Sequence, residues 1–239
     1  MAQLVKNITS IKYFLKNHEI VDTAYDINMP YHPKAPSKFE SLPTFVAEFN
    51  NCSINSLPVL ITEDRHMITE HLWPMLDRYK KKGKKHHGLW EAWGEEIDIN
   101  MPPITRQFNG THKYVWLPID KHSTGNPWHI WIDVISRFRL IEKRWSTNFA
   151  KYIYILANPS PYFDKVAKEL FPELKYYVMP EGETWRFQHL ITPSMSNSND
   201  GVVTPHLPPW LRHFKGSFGI PENKKPYRKI YISRDKANT

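Results

Sequence analysis

Between Lys113 and Met179 the chain alternates short apolar runs with amphipathic ones, and that alternation limits the folds open to it more than any other feature. Lys113–Ile119 reads as a buried strand, Pro127–Trp145 as a long helix, Tyr152–Ala157 as a strand, Pro161–Phe171 as a helix and Lys175–Met179 as a strand. In the second helix Phe163, Val166, Ala167, Leu170 and Phe171 recur at helical spacing, Ser160 stands where a cap is wanted, and Pro161 suits the first helical position. Helices interposed between strands imply crossover connections, and strands joined by crossovers pair in parallel. The expected fold class is therefore α/β, a parallel sheet with helices on its faces.

The flanks read less sharply. The first 38 residues are polar and punctuated by proline, and they yield only weak strands. Leu42–Phe49 and Leu57–Thr62 read as strands. Ile68, Leu72, Met75, Leu76 and Tyr79 predict a helix over Ile68–Lys82, kinked or shortened by Pro74. Gly88–Pro103, rich in Trp and acidic residues without a period, reads as a loop. Trp185–Ile191 and a weaker Gly201–Val203 are strands, Ser194–Asp200 is a polar loop, and Pro208–Phe218 is a short helix. A break at Pro221–Pro226 precedes a basic strand, Tyr227–Ser233. The expected organisation is one α/β domain over 1–220, with 1–50 poorly defined, and over 221–239 a linker and the opening strand of a second domain.

Composition narrows the functional classes. At 239 residues, 41% hydrophobic and 14% aromatic, the chain has ample material for a core, which excludes disorder as its main state. No run approaches the ~18 apolar residues of a membrane span, and Lys6, Lys12, Lys16 and Glu19 interrupt the N-terminal stretch, so neither a transmembrane segment nor a secretory signal is read. Cys52, the one cysteine, excludes an internal disulfide framework and any cysteine-based zinc site, and makes a reducing, cytoplasmic setting the expectation. Glycosylation patterns at Asn7, Asn51 and Asn109 are then coincidental. The net charge of +8 favours an anionic partner such as nucleic acid, a phosphorylated small molecule or an acidic membrane surface. Its densest part, Lys80–Lys85 with His86 and His87, suits a phosphate-tracking patch, and equally a solvated loop whose first lysines complement a helix C-terminus.

Chemistry concentrates on the helix Pro127–Trp145. At about 100° per residue, Asn126, His129, Asp133, Ser136 and Arg137 fall in one stripe, while Trp128, Ile130, Trp131, Ile132, Val134, Ile135 and Phe138 cover the other faces. A helix apolar on most of its circumference is buried, so its ionisable groups must be paired or must face a cleft. His129 and Asp133 are four residues apart, as are Asp133 and Arg137, and each is expected to reach the next. The stripe is either a self-satisfied polar seam or a His/Asp pair at the rim of a binding cleft, with Asp133 able to accept a proton.

Several signatures are missing. No Gly-x-Gly-x-x-Gly, phosphate-binding P-loop or Gly-x-Ser-x-Gly elbow occurs, which removes the usual evidence for dinucleotide binding, P-loop hydrolysis and serine hydrolysis. Asp-x-Asp is absent, and the twelve histidines form no His-x-x-x-His or His-x-x-Glu-His pattern, so neither a metal nor another cofactor is expected. Ser233, Arg234 and Lys236 follow the last strand, at the end where open α/β sheets bind ligands, and an arginine there can clamp a phosphate.

Two segments taken together resemble glycosyltransferase family 61, which includes plant xylan arabinosyl- and xylosyltransferases, animal protein O-GlcNAc transferases and capsule-type enzymes. The first is Asn126-Pro127-Trp128-His129-Ile130-Trp131-Ile132-Asp133-Val134-Ile135-Ser136-Arg137, similar to the family's aromatic-His pair followed by Asp and Arg on one helix. The second is Arg228-Lys229-Ile230-Tyr231-Ile232-Ser233-Arg234-Asp235-Lys236-Ala237, similar to its strand ending in Ser-Arg; their order and separation of roughly 100 residues also match. Leu60–Asp64 is like the strand before the family's acceptor-side helix, so the resemblance covers about Leu57 to Thr239.

The resemblance implies a GT-B architecture of two Rossmann-type domains, of which this chain would supply the N-terminal, acceptor-side domain and the start of the donor domain. It implies metal-independent transfer of a sugar from a nucleotide-sugar donor to a hydroxyl of a glycan or protein, as in polysaccharide biosynthesis. Asp133 and His129 would be catalytic. Arg137, Asn126, Arg234, Ser233 and Lys236 would bind substrate, Arg234 at the donor phosphate. The family's later basic residues and His-Gly-Ala motif have no counterpart here, so an incomplete or split enzyme, or a partner chain supplying the donor domain, is the expectation. The alternative from another class is a non-catalytic basic module that binds nucleic acid or an acidic polymer through Lys80–Lys85 and exposed aromatics.

Overall fold

The computed structural model describes residues 7–9, 18–22, 26–28, 38–40, 44–56, 59–68, 103–118, 129–157, 159–194 and 207–212. In chain order its strands are β1 (Asn7–Thr9), β2 (His18–Asp22), β3 (Asp26–Asn28), β4 (Lys38–Glu40), β5 (Thr44–Asn55), β6 (Leu60–Ile61), β7 (His66–Ile68), β8 (Ile104–Phe108), β9 (Tyr114–Leu117), β10 (Ile153–Ala157), β11 (Lys175–Met179) and β12 (Thr184–Pro193). A π-helical turn over Ile130–Ile135 runs into helix α1 (Ser136–Trp145), and α2 (Pro161–Leu170) and α3 (Leu207–Leu211) follow.

The structure is a mixed α/β arrangement. One sheet has the order β1-β7-β6-β5-β12-β9-β10-β11, with β2 also paired to β5 and β8 to β12; β3 and β4 form a separate pair. The expected parallel unit is present: β9, β10 and β11 lie side by side and parallel, with Ile153 opposite both Tyr114 and Lys175. The rest is different. β12 joins this unit in parallel to β9 but pairs antiparallel with β5 along its whole length, and β5, β6 and β7 continue antiparallel.

Two neighbouring strands, β5 and β12, switch the side chains they turn to the second core at one level of this sheet. Asn51 in β5 takes φ +50°, a left-handed conformation that Asn tolerates better than most residues. On its N-terminal side Ala47 and Phe49 enter the second core; beyond it Cys52 and Ile54 do, so the in-out alternation slips by one. The partner strand slips with it, from Trp185 and Phe187 to Leu190, and the pairing register is kept. At the same level the turn between β8 and β9 brings the Gly110 amide to donate to Gln188 Oε1 at 2.9 Å. A Cβ at Gly110 would come within 3.2 Å of that oxygen, so the Gln188 side chain would have to give by a few tenths of an ångström. β8 and β9 both pair in parallel with β12, before and after this level.

Each face of the sheet has its own core. The first contains Val115, Leu117, Tyr154, Leu156 and Ile191 beneath Ile130, Val134, Ile135, Phe138 and Ile141 of the first helix and Phe163, Val166, Ala167 and Leu170 of α2. The second contains Phe49, Leu60, Phe108, Trp116, Ile155, Trp185 and Phe187. Both long helices pack on the sheet as expected, and both lie on one face. Two crossovers of the same hand that advance in the same direction, β9 to β10 to β11, must place their helices on the same side. Phe138 is the centre of that core, stacked on Phe149 at 4.9 Å and edge-on to Tyr154 and Phe171 at 4.8 and 5.4 Å.

Local expectations met varied outcomes. α2 begins as predicted, Ser160 Oγ accepting from the Phe163 amide at 3.2 Å with Pro161 in the first turn. The strand expected over Leu42–Phe49 belongs to the longer β5, and that over Leu57–Thr62 is the two residues of β6. Ile68, expected to open a helix, ends β7, and β8 appears where no strand was expected. The helix expected over Pro208–Phe218 is described as Leu207–Leu211. Residues 69–82 with Lys80–Lys85, the loop before Pro103, most of Ser194–Asp200, Gly201–Val203 and all of 221–239 lie outside the described residues.

Candidate functional site

The candidate site lies at the start of the first helix, which follows the C-terminal end of β9 and leads to β10. The starts of the two crossover helices are tied together there, Trp131 Nε1 donating to the Tyr162 hydroxyl at 3.2 Å. That edge, beyond the carboxyl ends of parallel strands, is where α/β sheets bind ligands. Trp131 and Tyr162 were not expected as site residues. Placing the first turn of each crossover helix at this edge would have found them.

His129 and Asp133 are brought together as expected, Nδ1 to Oδ2 at 2.7 Å. Their exposure differs: the imidazole is 31% exposed and the carboxylate 6%. An ionised carboxylate only accepts, so the ring donates from Nδ1 and Asp133 holds it in one orientation and one tautomer. The imidazole therefore stands between solvent and the carboxylate.

Arg137 does not complete the series. Its side chain is wholly buried, and Nε and Nη1 have no hydrogen-bond partner among the described residues. Burial pulls its pKa down to about 10, only partly opposed by the charge of Asp133. No ion pair joins Asp133 to Arg137, although both lie on one helix four residues apart. Residues 130–135 are π-helical, with more residues per turn than the 3.6 assumed from sequence. Ser136 marks the change, its hydroxyl donating to the Ile132 carbonyl one turn back. A stripe that leaves two guanidinium nitrogens without partners is not a self-satisfied seam.

The remaining candidates, Asn126, Ser233, Arg234 and Lys236, lie outside the described residues. Among the described residues no cluster of three or more His, Cys, Asp or Glu could hold a metal ion, and no helix is long and apolar enough to cross a membrane. Buried Cys52 has its thiol pushed far above the usual range by desolvation, so it is inert as a nucleophile.

Several other polar groups of the fold have partners. Arg106 lies over Phe108, Tyr177 and Trp185 at 4.7–5.2 Å, Arg186 reaches Glu63 at 3.3 Å, and His189 meets Glu48 at 2.9 Å. Trp210 Nε1 donates to Glu142 at 2.7 Å, fastening α3 to α1. Comparison with models of known protein families, with curated proteins and with solved structures finds no match to this chain, so the site is read from its own residues and geometry.

Proposed function

We propose that this chain belongs to a metal-independent glycosyltransferase of GT-B type and transfers a sugar from a nucleotide-sugar to a hydroxyl of a glycan or protein. The observation that carries this reading is the 2.7 Å contact between a partly exposed His129 and a buried Asp133, at the carboxyl ends of the parallel strands β9 and β10. The resemblance of 126–137 and 228–237 to glycosyltransferase family 61 supplies the reaction class.

In this reading the acceptor hydroxyl attacks the anomeric carbon, the bond to the nucleotide diphosphate breaks, and the hydroxyl proton needs a base. The sequence pointed to Asp133 as that base. Exposure favours a division of roles, in which His129 meets the hydroxyl with Nε2, while Asp133 accepts from Nδ1 and stabilises the imidazolium that forms. Arg234 serves the donor diphosphate.

The test is transfer or hydrolysis of a panel of nucleotide-sugars, with binding followed by calorimetry, for the wild type, Asp133→Asn, His129→Ala and Arg234→Ala. The reading expects turnover to fall by about 100-fold or more in the first two variants, as for loss of a general base, and donor affinity to fall in the third. No turnover in the wild type together with salt-sensitive binding of single-stranded nucleic acid, lost on neutralising Lys80–Lys85, would replace it with the basic-module reading.

A further inference from the structure

We propose that Arg137 is the anion-binding group of a phosphate-class ligand site, entered from the His129 end of the first helix. The inference is independent of whether the chain transfers sugar.

Arg137 is wholly buried, with two of its three guanidinium nitrogens lacking a partner among the described residues. The acid on its own helix is engaged elsewhere, since Asp133 gives its carboxylate to His129. Two other arginines have partners close by: Arg106 lies over three aromatic rings and Arg186 reaches Glu63. Taking a cation out of water without a counter-charge opposes folding, and replacing such a group by an apolar one of similar volume commonly stabilises a protein. A residue kept at that cost is the mark of a function that competes with stability.

Guanidinium chemistry selects the ligand. It is always charged at neutral pH, weakly hydrated, and presents several fixed donors suited to an oxyanion with several acceptors. His129, Asp133 and Arg137 run along the helix from partly exposed to sealed, so the proposed way in is past the imidazole. The surplus of basic residues over the chain, +8, draws in an anion of this class.

The test is titration of the full chain with inorganic pyrophosphate at fixed ionic strength, reading Tm and heat of binding, for the wild type, Arg137→Met and Arg137→Lys. The proposal expects a rise in Tm for the wild type, a smaller rise for Arg137→Lys, and affinity reduced by about tenfold or more in Arg137→Met. It also expects ligand-free Arg137→Met to melt at or above the wild type. A merely structural arginine would instead give a lower Tm on removal, and that result overturns the proposal. So does an equal response in the wild type and Arg137→Met, which would place the anion on surface lysines, and so does no response in the wild type.

Discussion

Nδ1 of His129 stands 2.7 Å from Oδ2 of Asp133, one turn further along the helix, and the carboxylate is the more deeply buried of the two. A carboxylate in that position depends on its partner for part of what water would have supplied.

Truncating His129 to Ala should therefore cost about 1–3 kcal/mol, the penalty for a buried charged acceptor that loses a hydrogen bond. Urea unfolding of His129→Ala against wild type measures it. Asp133→Asn, which keeps the shape and can still accept, should cost less. The reverse ranking would mean that the carboxylate charge, and not the contact, stabilises the helix start.

Phe138 makes ring contacts with Phe149, Tyr154 and Phe171 and is fully buried. Phe138→Ala should lower stability by about 3–5 kcal/mol, the transfer free energy of the ring plus the cavity left among its neighbours. Denaturant melts that show less than about 1 kcal/mol would mean that this aromatic core is not where the fold is held.

Ser160 caps α2 through the Phe163 amide. Replacing it with Ala should cost about 1 kcal/mol, and Ser160→Asp should restore most of that. The paired variants separate capping from any packing role of the small side chain.

Alkali should unfold the protein through its tyrosines. Tyr176 has its pKa pushed up to about 12, first by burial and then by its hydrogen bond to Asp164 at 2.7 Å; burial also raises Tyr114, Tyr152 and Tyr154. A group that holds its proton more tightly when folded contributes stability in full below its unfolded pKa of 10 and loses it as pH rises toward 12. Stability measured by denaturant should fall across that window, and Tyr176→Phe should flatten part of the fall.

The helices and parallel strands were legible because each signal is local. Ser160, Pro161 and the spacing of Phe163, Val166, Ala167 and Leu170 lie within one or two turns, and a run such as Lys175–Met179 is bounded by its own turn residues. β8 was not, because Ile104–Phe108 has only its two ends turned inward and its partner, Thr184–Phe187, lies some 80 residues away. The antiparallel half escaped for the same reason: β6 and β7 are two and three residues long, and only pairing with β5 and with each other makes them strands.

At the site the same division holds. The sequence by itself determined that His129 and Asp133 could meet, since both share one face over a single turn. It also determined the parallel order of β9, β10 and β11 through the helices between them. Only the tertiary structure decided that the turn over Ile130–Ile135 is π-helical, that Arg137 parts from Asp133, and that both long helices share one face of the sheet. Those outcomes depend on how the helix seats against β5 and β12 and on the direction in which the crossovers advance. Such contacts join residues tens of positions apart, and no periodicity within a single segment encodes them.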